Sequence, residues 1–179
     1  MHLTLGHTNA LLSRTPVVLD ALLRGLPDEW TRVNEGPNTW SPYDIVGHLI
    51  HGERTDWIPR AKMILEFGET KTFEHFDRLA QERDSQGRSL AQLLDEFAQV
   101  RAKSLDDLRS LNLQPGDFDR LGRHPVLGAV TLGQLLATWA AHDLTHLHQI
   151  SRVMAHQYRD AVGPWTVFLG VLQCAGHSA

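Results

Sequence analysis

The chain has 179 residues, a length that suits one domain of ordinary size, and its 42% apolar content is enough to build a real core. Charged residues make up 21%, with both signs interspersed, a net charge of -4 and a pI of about 6.2; this is not the clustered basic footprint of a nucleic-acid binder. No apolar run approaches the roughly 20 residues of a membrane span, and a single cysteine, Cys174, excludes an internal disulfide and a cysteine-rich metal site.

The opening MHLTLGHTNALLSRTPVV lacks the basic start, pure apolar run and small-residue cleavage site of a secretory leader, so the expected location is cytoplasmic. The first helical pattern runs from about Leu3 to Leu26, with Leu3, Ala10, Leu11, Val17, Val18, Ala21 and Leu22 at three- and four-residue steps. Pro16 kinks or restarts this helix, with Thr15 as its candidate cap. After the LPDEW break, WSPYDIVGHLIHGE opens the second helix. Ser41 suits the N-cap, Pro42 the first helical position and Asp44 the first turn, and the helix is expected to reach Phe67 and stop at Gly68. A polar loop from about Glu69 to Arg88 follows.

The third helix starts at Ser89, which makes a capping-box pair with Gln92 ahead of Leu90, Leu93, Leu94, Phe97, Val100 and Leu108. A loop rich in proline and glycine spans Asn112 to Val130. The fourth helix begins at Thr131, paired with Gln134 in the same box. Its inner row is Leu132, Leu135, Trp139, His142, His146, Ile150 and Val153, the seam spacing of a bundle helix. WTVFLGVLQ, after Gly163-Pro164, is a candidate for one more short helix. No strand alternation or internal repeat stands out. Residues 1–179 are therefore expected to form one all-α domain, a four-helix bundle with a short C-terminal helix.

Eleven histidines are unusual for this length. His142 and His146 stand at i and i+4 on a row where the period calls for core residues, which brings their Cβ atoms within roughly 5–6 Å. Imidazole is the commonest neutral ligand for first-row metals, and catalytic zinc sites typically combine three protein ligands with an open position. On the second helix, His48 shares a face with Ile45, Leu49 and Gly52, and Gly52 leaves space beside it. His51 is the competitor, rotated away from the apolar row. Leaving a buried polar group unpaired costs about 1–3 kcal/mol, so three inward imidazoles are better explained by one shared ion than by three separate partners. Asp44, Asp143 and Gln149 are placed to hold the far nitrogens of the ligand rings. HDLTH has the outline of HExxH with Asp143 in the glutamate's place. The shorter aspartate and the long bundle helix argue against a zincin protease.

WSPYDIVGHLIHGE resembles the "W-S-x-x-E/D-h-h-x-H-L" segment of the DinB-like (damage-inducible) family, where h is apolar. VTLGQLLATWAAHDLTHLHQI resembles that family's "T-h-x-x-L-L-x-x-h-x-x-H-D-x-x-H-h-x-Q-h" helix. The order and separation also match, and the resemblance covers nearly the whole chain. It implies an up-down-down-up four-helix bundle with His48, His142 and His146 as ligands of one divalent transition-metal ion: zinc, nickel or manganese. The family is similar to bacillithiol transferases and to the metal-binding domain of mycothiol-dependent isomerases. The resemblance thus implies a metal-dependent enzyme of thiol-S-transferase type. A metal-dependent hydrolase and a non-catalytic metal-binding stress-response module are the alternatives. It further implies a small-molecule substrate such as a low-molecular-weight thiol, a homodimer, and neither nucleic acid nor membrane as partner. Asp143 is the candidate general base. The extra His51 and His148 depart from the simplest pattern. Trp40, Trp57, Trp139 and Trp165 are candidates for a pocket lining or for packing, and Cys174 has no base at a recognisable spacing.

Overall fold

The computed structural model describes residues 4–174, so Leu3, the expected start of the first helix, lies outside the described residues. The first helical pattern folds as two helices, α1 (Leu5–Leu12) and α2 (Thr15–Leu23), with Pro16 in the first turn of α2, where its missing N–H costs nothing. Thr4, not Thr15, uses its side chain as a cap, accepting from the His7 amide. The buried row is Thr8, Leu12, Thr15, Leu19 and Leu23, whereas Val17, Val18 and Leu22 are exposed. So many apolar residues crowd this segment that two rows fit the period, and the row completed by the two threonines faces inward.

After a single turn, α3 (Asp28–Thr31), the second expected helix begins where the capping signals place it. Ser41 and Asp44 form a reciprocal box at the start of α4 (Pro42–Thr55). It does not run unbroken to Phe67. The chain bends at Asp56 (φ -101°, ψ -70°) and continues as α5 (Trp57–Phe67). Pro59 explains the bend, because it brings no N–H to the Thr55 carbonyl and its ring crowds the preceding turn. Gly68 ends α5 at φ 57°, a conformation in which a side chain is strained. The polar loop that follows carries a short helix, α6 (Ala80–Asp84), packed on α4.

The capping boxes Ser89–Gln92 and Thr131–Gln134 both form, opening α7 (Leu90–Ser110) and α8 (Leu132–His156). Between them lies an antiparallel hairpin missed in the sequence, β1 (Leu121–His124) with β2 (Gly128–Thr131), paired Leu121 to Thr131 and His124 to Gly128. Strands this short show no alternation to read. Gly122 lets the hairpin press on α5, since a Cβ there would lie 2.5 Å from Ile64 Cγ1. The tail forms 3-10 turns over Gly163–Phe168 and Gly170–Leu172 instead of an α-helix, with Trp165 and Phe168 exposed.

Two apolar clusters fix the topology. One joins Leu12 of α1, Trp57 to Ile64 of α5, Leu105 and Leu108 of α7, and Leu132 to Trp139 of α8. The other joins Leu19 and Leu23 of α2, Tyr43 to Ile50 of α4, Leu93 to Phe97 of α7, and Ile150 of α8. The α1–α2 unit therefore runs from the first cluster to the second. The α4–α5 unit and α7 both run back, and α8 returns: up, down, down, up. Among the described residues no helix is long and apolar enough to cross a membrane.

Candidate metal centre

His48 of α4 meets His142 and His146 of α8. One nitrogen from each of His48, His142 and His146 lies within 4.8 Å of the others. His142 Nε2 is 3.1 Å from His48 Nε2 and 3.0 Å from His146 Nε2. An ion held at about 2.0–2.1 Å by imidazole nitrogens in tetrahedral geometry spaces its ligands by roughly 3.3 Å, so the cluster is already near the required size.

Proton counting gives the same result. Gln149 Oε1 is 2.8 Å from His146 Nδ1 and can only accept, so His146 donates there and its Nε2 is a bare lone pair. His142 Nε2 faces two other nitrogens but carries at most one proton. His48 Nδ1 and His142 Nδ1 are buried without a partner among the described residues. The rings cannot escape by becoming charged. Burial, reinforced by the neighbouring imidazoles, pushes His48 down to about 2 and His142 down to about 3. Burial also lowers His146, although its bond to Gln149 works the other way. Three imidazoles whose protonation burial disfavours, with at least the His146 Nε2 lone pair turned inward, offer a donor set that a divalent transition-metal ion fits.

Aromatic rings enclose the cluster. Trp40 lies with its ring centroid 4.7 Å from that of His48, Phe76 meets His48 edge-on at 5.2 Å, and Trp57 meets His142 edge-on at 5.1 Å. The space expected beside Gly52 is taken by Trp57, whose indole nitrogen would lie 3.5 Å from a Cβ placed there. Trp139 is fully buried and stacks on Trp57, while Trp165 is exposed and apart from the cluster residues. His51 stays outside the cluster, between Phe76 and Asp84, with its Nδ1 3.8 Å from the carboxylate. His148 is exposed, and so is Cys174. Asp44 is spent on the α4 cap.

Asp143 is not poised as a base beside the three rings. It is fully buried; its Oδ2 accepts from Arg101 Nη1 at 2.6 Å and from the Thr15 hydroxyl at 2.5 Å, and its Oδ1 accepts from Arg101 Nη2 at 2.9 Å. The strict three–four spacing put Asp143 beside the seam, but the buried face of α8 is wide enough to include Leu136, Asp143 and Gln149. Arg101 and Glu53 were missed altogether. The signal was present: Leu94, Phe97, Arg101 and Leu108 continue one row of α7, and a charged residue on a core row needs a buried partner.

A four-helix bundle with an inward three-histidine cluster defines the class, and sequence comparison gives the family. Residues 11–150 match the DinB superfamily, and the chain belongs to it. No curated protein matches the chain. Among solved structures it is similar to YfiT from Bacillus subtilis, described as a probable metal-dependent hydrolase with an unusual four-helix bundle topology. The two share 21% identity at a TM-score of 0.70, with 87% of each chain covered.

Proposed function

We propose that the chain is a metal-dependent enzyme of thiol-S-transferase type, with His48, His142 and His146 holding one zinc, nickel or manganese ion. The convergence of three imidazole nitrogens, with His142 Nε2 at 3.1 Å from His48 Nε2 and 3.0 Å from His146 Nε2 and all three within 4.8 Å, carries this reading. A divalent ion held by three imidazoles with open positions supplies Lewis acidity, which activates water or turns a bound thiol into thiolate.

The protein's own residues favour the thiol. Asp143, the nearest carboxylate in sequence to a ligand, is committed to Arg101 and Thr15 and takes no proton from a substrate. A thiol acidified by coordination needs no such base, whereas hydrolysis gains from one. Gln149 orients His146, while Trp40, Phe76 and Trp57 exclude water around the rings and offer apolar surface to a small electrophile. A metal-dependent hydrolase is the second reading, favoured by the likeness to YfiT. A homodimer belongs to the same proposal: Val17, Val18 and Leu22 leave an exposed apolar strip on α2 for a second copy, which sedimentation would register as twice the chain mass.

Protein purified without a histidine tag should carry about one ion per chain. It should then consume a low-molecular-weight thiol in the presence of an electrophile. A chain that stays metal-free after exposure to zinc, nickel and manganese overturns the metal reading. A metal-loaded chain that hydrolyses esters or amides but spares thiols transfers the assignment to the hydrolase.

A further inference from the structure

Outside the histidine cluster, the interior also holds a buried knot of charge. Arg101 of α7 is 1% exposed, and the side chains of Glu53 and Asp143 are fully buried. The guanidinium reaches three other helices. Nη1 donates to the Leu12 carbonyl at the end of α1 (2.9 Å) and to Asp143 of α8; Nη2 donates to Glu53 of α4 (2.8 Å) and again to Asp143. Burial works against its charge, but the bonds to Asp143 and the charges of Glu53 and Asp143 outweigh it and raise the pKa above the ordinary arginine value. Thr15, at the start of α2, ties the first helical unit in through Asp143.

Such a knot is a poor way to stabilise a bundle. Desolvating the ions cancels most of their attraction, and apolar residues of the same volume commonly do as well or better. Its placement suggests another use. Asp143 directly follows His142, and Glu53 lies five residues after His48 on the same helix. The same Glu53 oxygen accepts from Trp139 Nε1 at 2.9 Å; Trp139 stacks on Trp57 with centroids 5.8 Å apart, and Trp57 abuts His142. His146 is oriented by Gln149, whereas among the described residues nothing bonds to Nδ1 of His48 or His142. Something else must set where those two rings sit.

We propose that Arg101, Glu53 and Asp143 are positioning residues for the metal centre: the guanidinium locks α4 against α8 at the separation and register that bring His48 onto His142 and His146. This rests on the metal reading above. Loss of outer hydrogen-bonding partners of a metal site typically weakens affinity by about 10–100-fold, and a lost helix clamp is expected to act in that range.

The test compares wild type with Glu53→Gln and Thr15→Val, which keep side-chain volume, with Trp139→Phe, which removes the indole N–H at the cost of a smaller ring, and with Arg101→Met. Leu23→Ala, in the other apolar cluster, serves as a control for general destabilisation. Zinc affinity is read by chelator competition on folded protein, cobalt coordination by visible absorption, and folding by thermal melting. The expected result is a roughly tenfold or greater loss of zinc affinity and an altered cobalt spectrum in the folded Glu53 and Trp139 variants, with wild-type affinity and spectrum in Leu23→Ala. Folded Glu53 and Trp139 variants with wild-type affinity and spectrum overturn the proposal, even if Arg101→Met fails to fold. Equal losses in Leu23→Ala also overturn it, since they trace the effect to stability alone. A wild type that binds no ion removes the metal reading itself, and this proposal with it.

Discussion

The bundle holds two polar clusters side by side in its interior, and they solve burial in opposite ways. The Arg101 knot is charged and largely paired within the protein: the guanidinium meets two carboxylates and a main-chain carbonyl, and the carboxylates in turn accept from the Thr15 hydroxyl and the Trp139 indole. The histidine cluster is neutral and incomplete: burial disfavours charge on its rings, their inner nitrogens crowd together, and two of their outer nitrogens have no partner among the described residues. A buried polar group is tolerated once it is satisfied. The first cluster finds most of its partners in the protein, with Glu53 Oε2 and Arg101 Nε left over among the described residues, whereas the second offers inward nitrogens to a ligand. His142 and Asp143, neighbours in the chain, fall on opposite sides of this divide.

Removing one member of the charged knot should give the largest effect. Arg101→Ala leaves two buried carboxylates without their cation and should cost about 3–5 kcal/mol in urea unfolding. Replacing Arg101, Glu53 and Asp143 together by apolar residues of similar volume should recover most of that stability. If Arg101→Ala unfolds within about 1 kcal/mol of wild type, the knot is not a buried ion network in solution.

The neutral cluster should respond to an ion and not to truncation. Zinc at about a hundredfold over its dissociation constant should stabilise the fold by about 2.7 kcal/mol, seen as a higher melting temperature. His146→Ala should remove that increment while changing the metal-free protein far less than Arg101→Ala does. A zinc-dependent rise that survives His146→Ala would break the ligand assignment. Gln149→Leu takes the one outer partner from a ligand ring, so it should weaken zinc binding by about 10–100-fold and leave the ligand count intact.

The two clusters were unequally legible in the sequence. Helix starts were readable because capping is local: Ser41, Ser89 and Thr131 each sit three residues before a partner that completes the box. The histidine trio was readable because its spacing follows the helical period. The knot was not, because Arg101, Glu53, Asp143 and Thr15 come from four helices, and no period relates residues so far apart in the chain. The bend at Asp56 depended on Pro59, which the smooth apolar pattern of the segment concealed. The hairpin was hidden by its brevity. The tail's apolar residues suggested a helix, but they lie exposed, without the buried face that stabilises a short helix in water.

The smallest expected effect concerns a third way of burying charge, between the other two. Asp56, at the bend, lies 2.8 Å from Arg60, and both are largely but not fully buried. Burial pushes the Asp56 carboxyl up from 3.8 to about 6 despite the opposing pull of Arg60, and burial likewise lowers Arg60. Between those two pH values the folded chain binds more protons than the unfolded chain. This carboxyl therefore makes stability fall as pH rises from about 4 to about 6, the reverse of an acid held low by a strong partner. The loss should be about 1–2 kcal/mol, because solvent still reaches the pair. Asp56→Asn removes the titration, so its stability should stay flatter across that window and exceed that of wild type at neutral pH. An unchanged slope in Asp56→Asn, measured by urea unfolding at a series of pH values, would mean that the bend holds its ion pair as fully charged as the Arg101 knot does.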